Sequence, residues 1–465
     1  MPPPRPRLIL SALKGGGGKT TVSLAMLAAW RSQGLRAVPF KKGPDYIDAG
    51  WLARAAGRTC RNLDPFLMGW EPVLSLFGRM TEDRSVALVE GNRGLFDGLD
   101  RAGSISTAEL AKRLRAPVVL VIDCTKVTRT VAAMVLGCLK FDPEVRIGGV
   151  ILNRIGGERH RRMVEDCLTE SVGLPIFGSI PRFRKELPER HMGLVTHLEH
   201  PEVEESLGWL RGLAQDHLDL EGLLALASSA PPLELPREAP RTKPATGERV
   251  RVGVIQDSAF QFYYPENLEA LTAAGAELLM ISALDEDGLP ELDGLYIGGG
   301  FPETHAELLA GNRAFRESLK SAARRGLPIY AECGGLMLLG RSLTMEGRTF
   351  PMTGVLEIEV AVEKRPQGHG YTKVRVDRPN PFYPLGTEIK GHEFHYSRVT
   401  DLKGSEENLV FKVERGQGVA GGRDGVVRGN VLATYTHVHA MGTPAWASGL
   451  VEAARRWRSG STRAS

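Results

Sequence analysis

The stretch "LILSALKGGGGKTTVSLAMLAAW", residues 8–30, decides the fold of the first half of the chain. An apolar run, "LILSA" (8–12), breaks into glycines, and Lys-Thr-Thr then opens a segment, Thr20–Arg31, suited to a helix. Strand, glycine loop and helix in that order is the setting of a phosphate-binding loop. Glycines without Cβ let successive backbone N–H groups turn inward around phosphate oxygens, and the start of the helix adds partial positive charge. Leu13 stands where the usual G-x-x-x-x-G-K-[ST] spacing wants glycine, so the match is to K-G-G-x-G-K-[ST] over Lys14–Thr20. Gly15, Gly16, Gly17, Gly18 and Thr21 are then expected around the phosphates. Lys19 reaches the β- and γ-phosphates, and the Thr20 hydroxyl ligates Mg²⁺.

Working outward, "RAVPF" (36–40), "VALVE" (86–90), "VVLVID" (118–123) and "IGGVILN" (147–153) are further apolar runs without alternation, separated by helix-compatible segments such as Ser106–Leu114. Runs apolar on both faces mark buried parallel strands, and their βα alternation predicts a doubly wound sheet. Residues 228–248, rich in Pro, Ala and charge, read as a linker between a domain at 1–227 and one at 249–465. A second α/β pattern follows in "RVGVIQD" (251–257), "LLMIS" (278–282), "GLYIGGG" (294–300) and "LPIYAECGG" (327–335).

Two acidic clusters end strands of the first sheet. "KKGPDYIDAG" (41–50) carries Asp45 and Asp48, and "VEGNRGLFDG" (89–98) carries Glu90 and Asp97. Ligands of open α/β sheets bind at the carboxyl ends of the strands, where carboxylates can hold Mg²⁺ through oxygen. The plainer alternative is that Asp45 opens a turn and Asp97-Gly98 closes one. Asn153 in "NRIGG" (153–157) is the candidate for contact with a nucleotide base.

In the second half, "LPIYAECGGLMLLG" (327–340) runs an apolar strand through Cys333 into an apolar helix, with small residues on either side of the cysteine. That is the pattern of a nucleophile elbow, and a helix start is expected to lower the thiol pKa. "TYTHVHA" (434–440) offers His437 and His439 as the base. The glycine strip of "YIGGGFPE" (296–303), through Gly299 and Gly300, together with Gly334, supplies N–H groups for an oxyanion hole. His392 and His395 in "GHEFHYS" (391–397) fall one residue short of the H-E-x-x-H zinc spacing, so a loop presenting polar groups to substrate is expected instead. Cys60, Cys124, Cys138 and Cys167 lack such surroundings and read as packing residues.

Composition narrows the class. With 59 basic against 55 acidic residues the net charge is +4, too balanced to imply nucleic acid as a partner. The five cysteines are scattered without a CxxC pair, which fits a reducing cytoplasm. No apolar run approaches the roughly 18–20 residues of a membrane span, and the apolar stretch at 8–12 is short for a signal peptide. A cytoplasmic enzyme with no membrane partner is expected.

Taken together, "GKTTV" (18–22), "KKGPDYID" (41–48), "VEGNRGLFDG" (89–98), "GGGFPE" (298–303), "AECGGLM" (331–337), "GHEFHYS" (391–397) and "TYTHVH" (434–439) resemble the cobyrinic acid a,c-diamide synthase family over nearly the whole chain. These are glutamine-dependent corrin amidases. The first half is also similar to dethiobiotin synthetase, and the second to class I glutamine amidotransferases of flavodoxin-like form. The resemblance implies ATP, L-glutamine and a tetrapyrrole polycarboxylate as substrates, Mg²⁺ as cofactor, and a monomer or homodimer. It makes Cys333 the nucleophile and His437 its base, with Asp45, Asp48 and Asp97 positioning the acceptor and Thr20, Asp48 and Glu90 on the metal. Many class I amidotransferases orient the histidine with a Glu two residues on. His439 holds that place here, which implies a dyad. Lys14 resembles the loop of partition-type switch ATPases, which would be binding machines rather than amidases. Nickel-sirohydrochlorin and hydrogenobyrinic acid are the alternative acceptors.

Overall fold

The computed structural model describes residues 5–81, 85–183, 187–190, 193–236, 248–402 and 406–461. The chain divides into two compact units, Met1–Pro65 with Gly69–Glu238, and Phe66–Met68 with Ala239–Ser465.

The first unit is built on a seven-stranded sheet: β1 (Arg7–Ala12), β2 (Arg36–Lys42), β3 (Arg61–Leu63), β4 (Ser85–Glu90), β5 (Val118–Asp123), β6 (Ile147–Ile155) and β7 (Ile176–Pro181). Its order is β3-β2-β4-β1-β5-β6-β7, and every neighbouring pair is parallel. All six residues of β1 and of β4 are buried, as the unbroken apolar runs require of strands covered on both faces. Helix α1 (Lys19–Ser32) follows the glycine loop, and α2 (Tyr46–Ala56) begins just after β2. Asp45 caps α2 by accepting the Asp48 N–H at 2.9 Å. Because β1, β2 and β4 are adjacent and parallel, their carboxyl ends bring the glycine loop, residues 41–48 and Glu90 to one rim.

The expected linker begins later than residue 228. The carbonyls of Pro231 and Pro232 accept hydrogen bonds from Arg7 and Arg115, and Leu233 is buried, so the chain there still belongs to the first unit. Residues 237–247 of that expected linker lie outside the described residues.

The second unit holds a ten-stranded mixed sheet. Its strands are β8 (Val250–Ile255), β9 (Ala276–Ile281), β10 (Gly294–Ile297), β11 (Ile329–Glu332), β12 (Gly368–Val376), β13 (Glu388–His395), β14 (Leu409–Arg415), β15 (Arg423–Arg428), β16 (Val431–Thr434) and β17 (His437–Val438). The parallel part runs β9-β8-β10-β11-β16, the strand order of flavodoxin-like sheets. Antiparallel strands extend it through β15, β14, β12, β13 and β17. A parallel P-loop sheet followed by a flavodoxin-like sheet is the fold class the sequence predicts.

Among the described residues no helix is long and apolar enough to cross a membrane.

Candidate active site

In the first unit the glycine loop follows β1 and opens α1. Gly16 and Gly18 take positive φ, 70° and 92°, which non-glycine residues adopt only under strain. At Gly18 a Cβ would also collide with the Asn153 amide, so this glycine is required twice over. Lys19 is buried, and its Nζ donates to the Arg93 carbonyl at 2.8 Å. Burial, and then the neighbouring Lys41, hold its pKa below the ordinary lysine value. The Thr20 hydroxyl donates to Glu90 Oε1 at 2.9 Å.

Lys41, which no motif singles out, sits at the centre of this rim. Its Nζ lies 2.5 Å from Asp48 Oδ2 and 2.6 Å from Glu90 Oε1. Burial opposes charge on this lysine, but Asp48 and Glu90 outweigh it and raise its pKa well above the usual value. Asp48 is held low against its own burial, chiefly by Lys41. Asp45 goes the other way: burial and the Asp48 charge push it up to about 7. Asp97 accepts the Gly94 N–H at 2.8 Å and so closes a local turn. Asp45 and Asp97 therefore carry the structural duties that the plainer reading of these residues gives them.

The oxygen donors suit Mg²⁺. Thr20, Glu90 and Asp48 share a few ångströms around one ammonium, and Glu90 Oε2 is buried without a hydrogen-bond partner. Among the described residues no group of three or more His, Cys, Asp or Glu is placed to hold an ion unaided. Phosphate oxygens and water would have to complete the shell, as is usual for Mg²⁺.

Beside the loop lies a cavity of about 700 Å³ lined by residues that include Gly18, Thr21, Asp123, Asn153, Arg182 and Phe183. Asn153 stands on its wall, donating to the Gly17 carbonyl at 3.1 Å and accepting the Arg154 N–H at 3.0 Å. It buttresses the loop. Arg154, pinned to Asp123 at 2.8 Å, reaches the Gly16 carbonyl at 3.2 Å. Gly15 and Gly16 face open space.

In the second unit Cys333 links β11 to a short helix, α3 (Gly334–Leu339). Its backbone stands at φ 47° and ψ −95°, a conformation costing roughly 1–3 kcal/mol for a residue with a Cβ. The Cys333 N–H is fixed to the Thr434 carbonyl at 2.8 Å. Gly300 N lies 3.1 Å from where a Cβ on Gly334 would stand, so two of the three expected oxyanion donors are adjacent. The expected lowering of the thiol pKa does not occur in this structure. Burial, and then the Glu303 and Glu332 carboxylates, push it up, and a six-residue helix does not compensate.

Residues Glu332 and Thr434 are register partners on the parallel neighbours β11 and β16. The chain after β16 therefore leaves the sheet beside the elbow and reaches His437. Its Nδ1 lies 3.3 Å from Glu332 Oε2. A carboxylate thus meets the imidazole where a dyad was expected. The same carboxylate oxygen accepts the Tyr296 hydroxyl at 3.2 Å. A Cβ on Gly299 would stand 2.5 Å from His437 Cε1 and 3.3 Å from Nε2, so the glycine strip is bare because the imidazole packs on it.

"GHEFHYS" forms strand β13 and its exit, not a loop. His392 pairs with His437 across β13 and β17, and their rings stack at 4.9 Å with planes 19° apart. Burial, followed by His437 and His439, lowers the His392 pKa well below the ordinary value and keeps this ring neutral. His439 packs against Tyr264 at 4.6 Å.

A phosphate loop in one unit and a cysteine–histidine elbow in another define a class, the glutamine-dependent ligases with a fused amidotransferase domain. Two family models match in that arrangement: the CobQ/CobB/MinD/ParA nucleotide binding domain over residues 8–195 and the CobB/CobQ-like glutamine amidotransferase domain over residues 251–445. A cobyrinate a,c-diamide synthase of Magnetococcus marinus is 45% identical over 463 residues, covering 98% of each chain. One of Archaeoglobus fulgidus is 40% identical over 435 residues, covering 93% of this chain and 94% of its own. The chain belongs to the cobyrinate a,c-diamide synthase family.

Proposed function

We propose that the protein converts the a- and c-acetate side chains of cobyrinic acid to amides, using glutamine nitrogen and ATP. A carboxylate is a poor electrophile for ammonia. Transfer of the γ-phosphoryl group to it makes an acyl phosphate that ammonia can displace. Lys19 and the N–H groups of Gly15–Gly18 stabilise charge on the moving phosphoryl group, while Thr20, Asp48 and Glu90 would hold Mg²⁺. The metal, when bound, neutralises the phosphate oxygens. Asp45, Asp48 and Asp97 line the rim where the acceptor acid would be positioned, with the exposed Arg93 beside them.

Glutamine is opened in the second unit. Cys333 attacks the side-chain amide, and His437 takes the thiol proton and returns it to the departing ammonia. Although the resting thiol is held protonated, transfer to a neighbouring imidazole within the reaction removes the need for a free thiolate beforehand. N–H groups of Gly299, Gly300 and Gly334 face the developing oxyanion. The observation that carries this reading is the strained Cys333 directly after Glu332, the carboxylate that faces the buried His437. The choice of acceptor rests on the names of the relatives.

The test uses the purified protein with Mg-ATP, either glutamine or ammonium, and cobyrinic acid, hydrogenobyrinic acid or nickel-sirohydrochlorin. The expected result is one phosphate released and one acid-to-amide mass shift per step, greatest with cobyrinic acid. Cys333→Ser should lose glutamine-dependent turnover by on the order of 10³-fold and keep the ammonium-dependent rate. Loss of both rates would overturn the division of labour, and preference for another macrocycle would reassign the substrate.

A further inference from the structure

We propose that Glu332 is the positioning carboxylate of a Cys333–His437–Glu332 triad, supplied by the residue before the nucleophile rather than by one after the histidine. It rests on the reading of Cys333 as the glutamine nucleophile. Both members of the His437–Glu332 pair are shut away from water, at 2% and 0% side-chain exposure. One carboxylate oxygen faces Nδ1 and accepts the Tyr296 hydroxyl, and the other accepts the Val438 N–H at 3.2 Å. The carboxylate is therefore tied to the backbone of β17, the two-residue strand that carries His437. An imidazole so held keeps its proton on Nδ1 and presents Nε2, the nitrogen nearer the glycine strip, as the base.

Position 439 does not fill this role. The His439 Nδ1 accepts the Met441 N–H at 3.3 Å, and its Nε2 faces Glu266 Oε2 at 3.6 Å. Both neighbours turn its ring toward a different part of the core, away from His437. Among the groups around His437, Glu332 at the end of β11 and His392 from β13 face its ring. Behind these stand Tyr296 and Tyr264, while Glu303 and Glu393 act on the thiol. Among the described hydrogen bonds, Glu332 is the carboxylate that reaches the imidazole.

In the reaction the thiol proton passes to His437 Nε2 as the sulfur bonds to the amide carbon of glutamine. The C–N bond then breaks, and Nε2 gives the proton to ammonia. Water cleaves the thioester to glutamate and restores the thiol. Glu332 gains no proton at any step. It fixes the tautomer and stabilises the imidazolium formed between the two transfers.

The experiment compares wild type, Glu332→Gln and Cys333→Ser as full-length protein, with Mg-ATP and cobyrinic acid. It reads glutamate release from glutamine and amide formation from ammonium. Glu332→Gln should lower kcat for glutamate release by on the order of 10²–10⁴-fold with little change in the KM for glutamine, and leave the ammonium rate intact. The acid limb of its residual pH profile should move to lower pH, because an imidazolium without its carboxylate gives up the proton more readily. A near-wild-type kcat, or an unmoved limb, overturns the proposal. Should Glu332→Gln also lose the ammonium rate through misfolding, Tyr296→Phe decides: a smaller fall in kcat with the same direction of limb shift supports the role, and no change overturns it. Continued glutamine use by Cys333→Ser would instead unseat the nucleophile.

Discussion

At the ends of β1, β2 and β4 the chain gathers charge and cancels it, whereas at the end of β11 it buries a thiol on a bent backbone. Both places lie at the carboxyl ends of parallel strands. At the first, Lys41, Asp48 and Glu90 hold one another in place beside Lys19, with Lys41 within 2.6 Å of both carboxylates. At the second, a neutral His392 ring and a raised thiol accompany the buried Glu332–His437 contact. The difference teaches what each chemistry needs in advance. Polyanion binding needs fixed charges already paired, so that a ligand exchanges partners instead of creating them. Covalent attack, the role proposed for Cys333, needs an angle, which the strained backbone there would set.

The sharpest way to break this contrast is Lys19→Met. It should abolish amide formation from glutamine and from ammonium alike, by about 10²–10³-fold, because on the proposed mechanism the lost charge would serve the phosphoryl step common to both. Alkylation of Cys333 by iodoacetamide should proceed at the wild-type rate. A variant that kept ammonium-dependent turnover would show that the charged rim is dispensable. A smaller effect is expected of Gly299→Ala. The added methyl displaces the His437 ring, so glutamine-dependent turnover should fall by roughly 10–10²-fold while the ammonium rate holds, as measured in parallel assays.

The smallest effect concerns pH. Asp45 has a folded pKa of about 7, above the roughly 3.9 of the unfolded chain. Between those values the native state keeps a proton that the unfolded state has released. This contribution to stability is therefore full below about pH 4 and is lost as pH rises through 7. Asp45→Asn, which preserves the helix cap, should lack that slope. Urea midpoints across this window should show the wild type losing about 1–2 kcal/mol relative to the variant, allowing for solvent screening at a half-buried site. Parallel lines for the two proteins would mean that Asp45 ionises freely.

Much of the framework was legible because it is written in apolar runs and glycines. The doubly wound sheet, the phosphate loop and the elbow at Cys333 all announce themselves that way. What stayed hidden shares a physical cause. Strand β13 buries His392, Glu393 and His395, so hydrophobic periodicity could not report it. Lys41 and Lys42 are both buried, and nothing in the pair tells which one meets Asp48 and Glu90, since those acids arrive on other elements. Glu332 reads as one more residue of a strand until β11 and β16 are laid side by side. A helix start after Cys333 is visible in the sequence, whereas the burial and the carboxylates that raise the thiol pKa are not.

The left-handed backbone at residue 333 also carries an evolutionary consequence. Any side chain there meets the same steric cost, and only glycine escapes it. In a lineage that came to draw ammonia directly from its surroundings, nothing would continue to retain the sulfur, and drift at this codon would run toward glycine before alanine or serine.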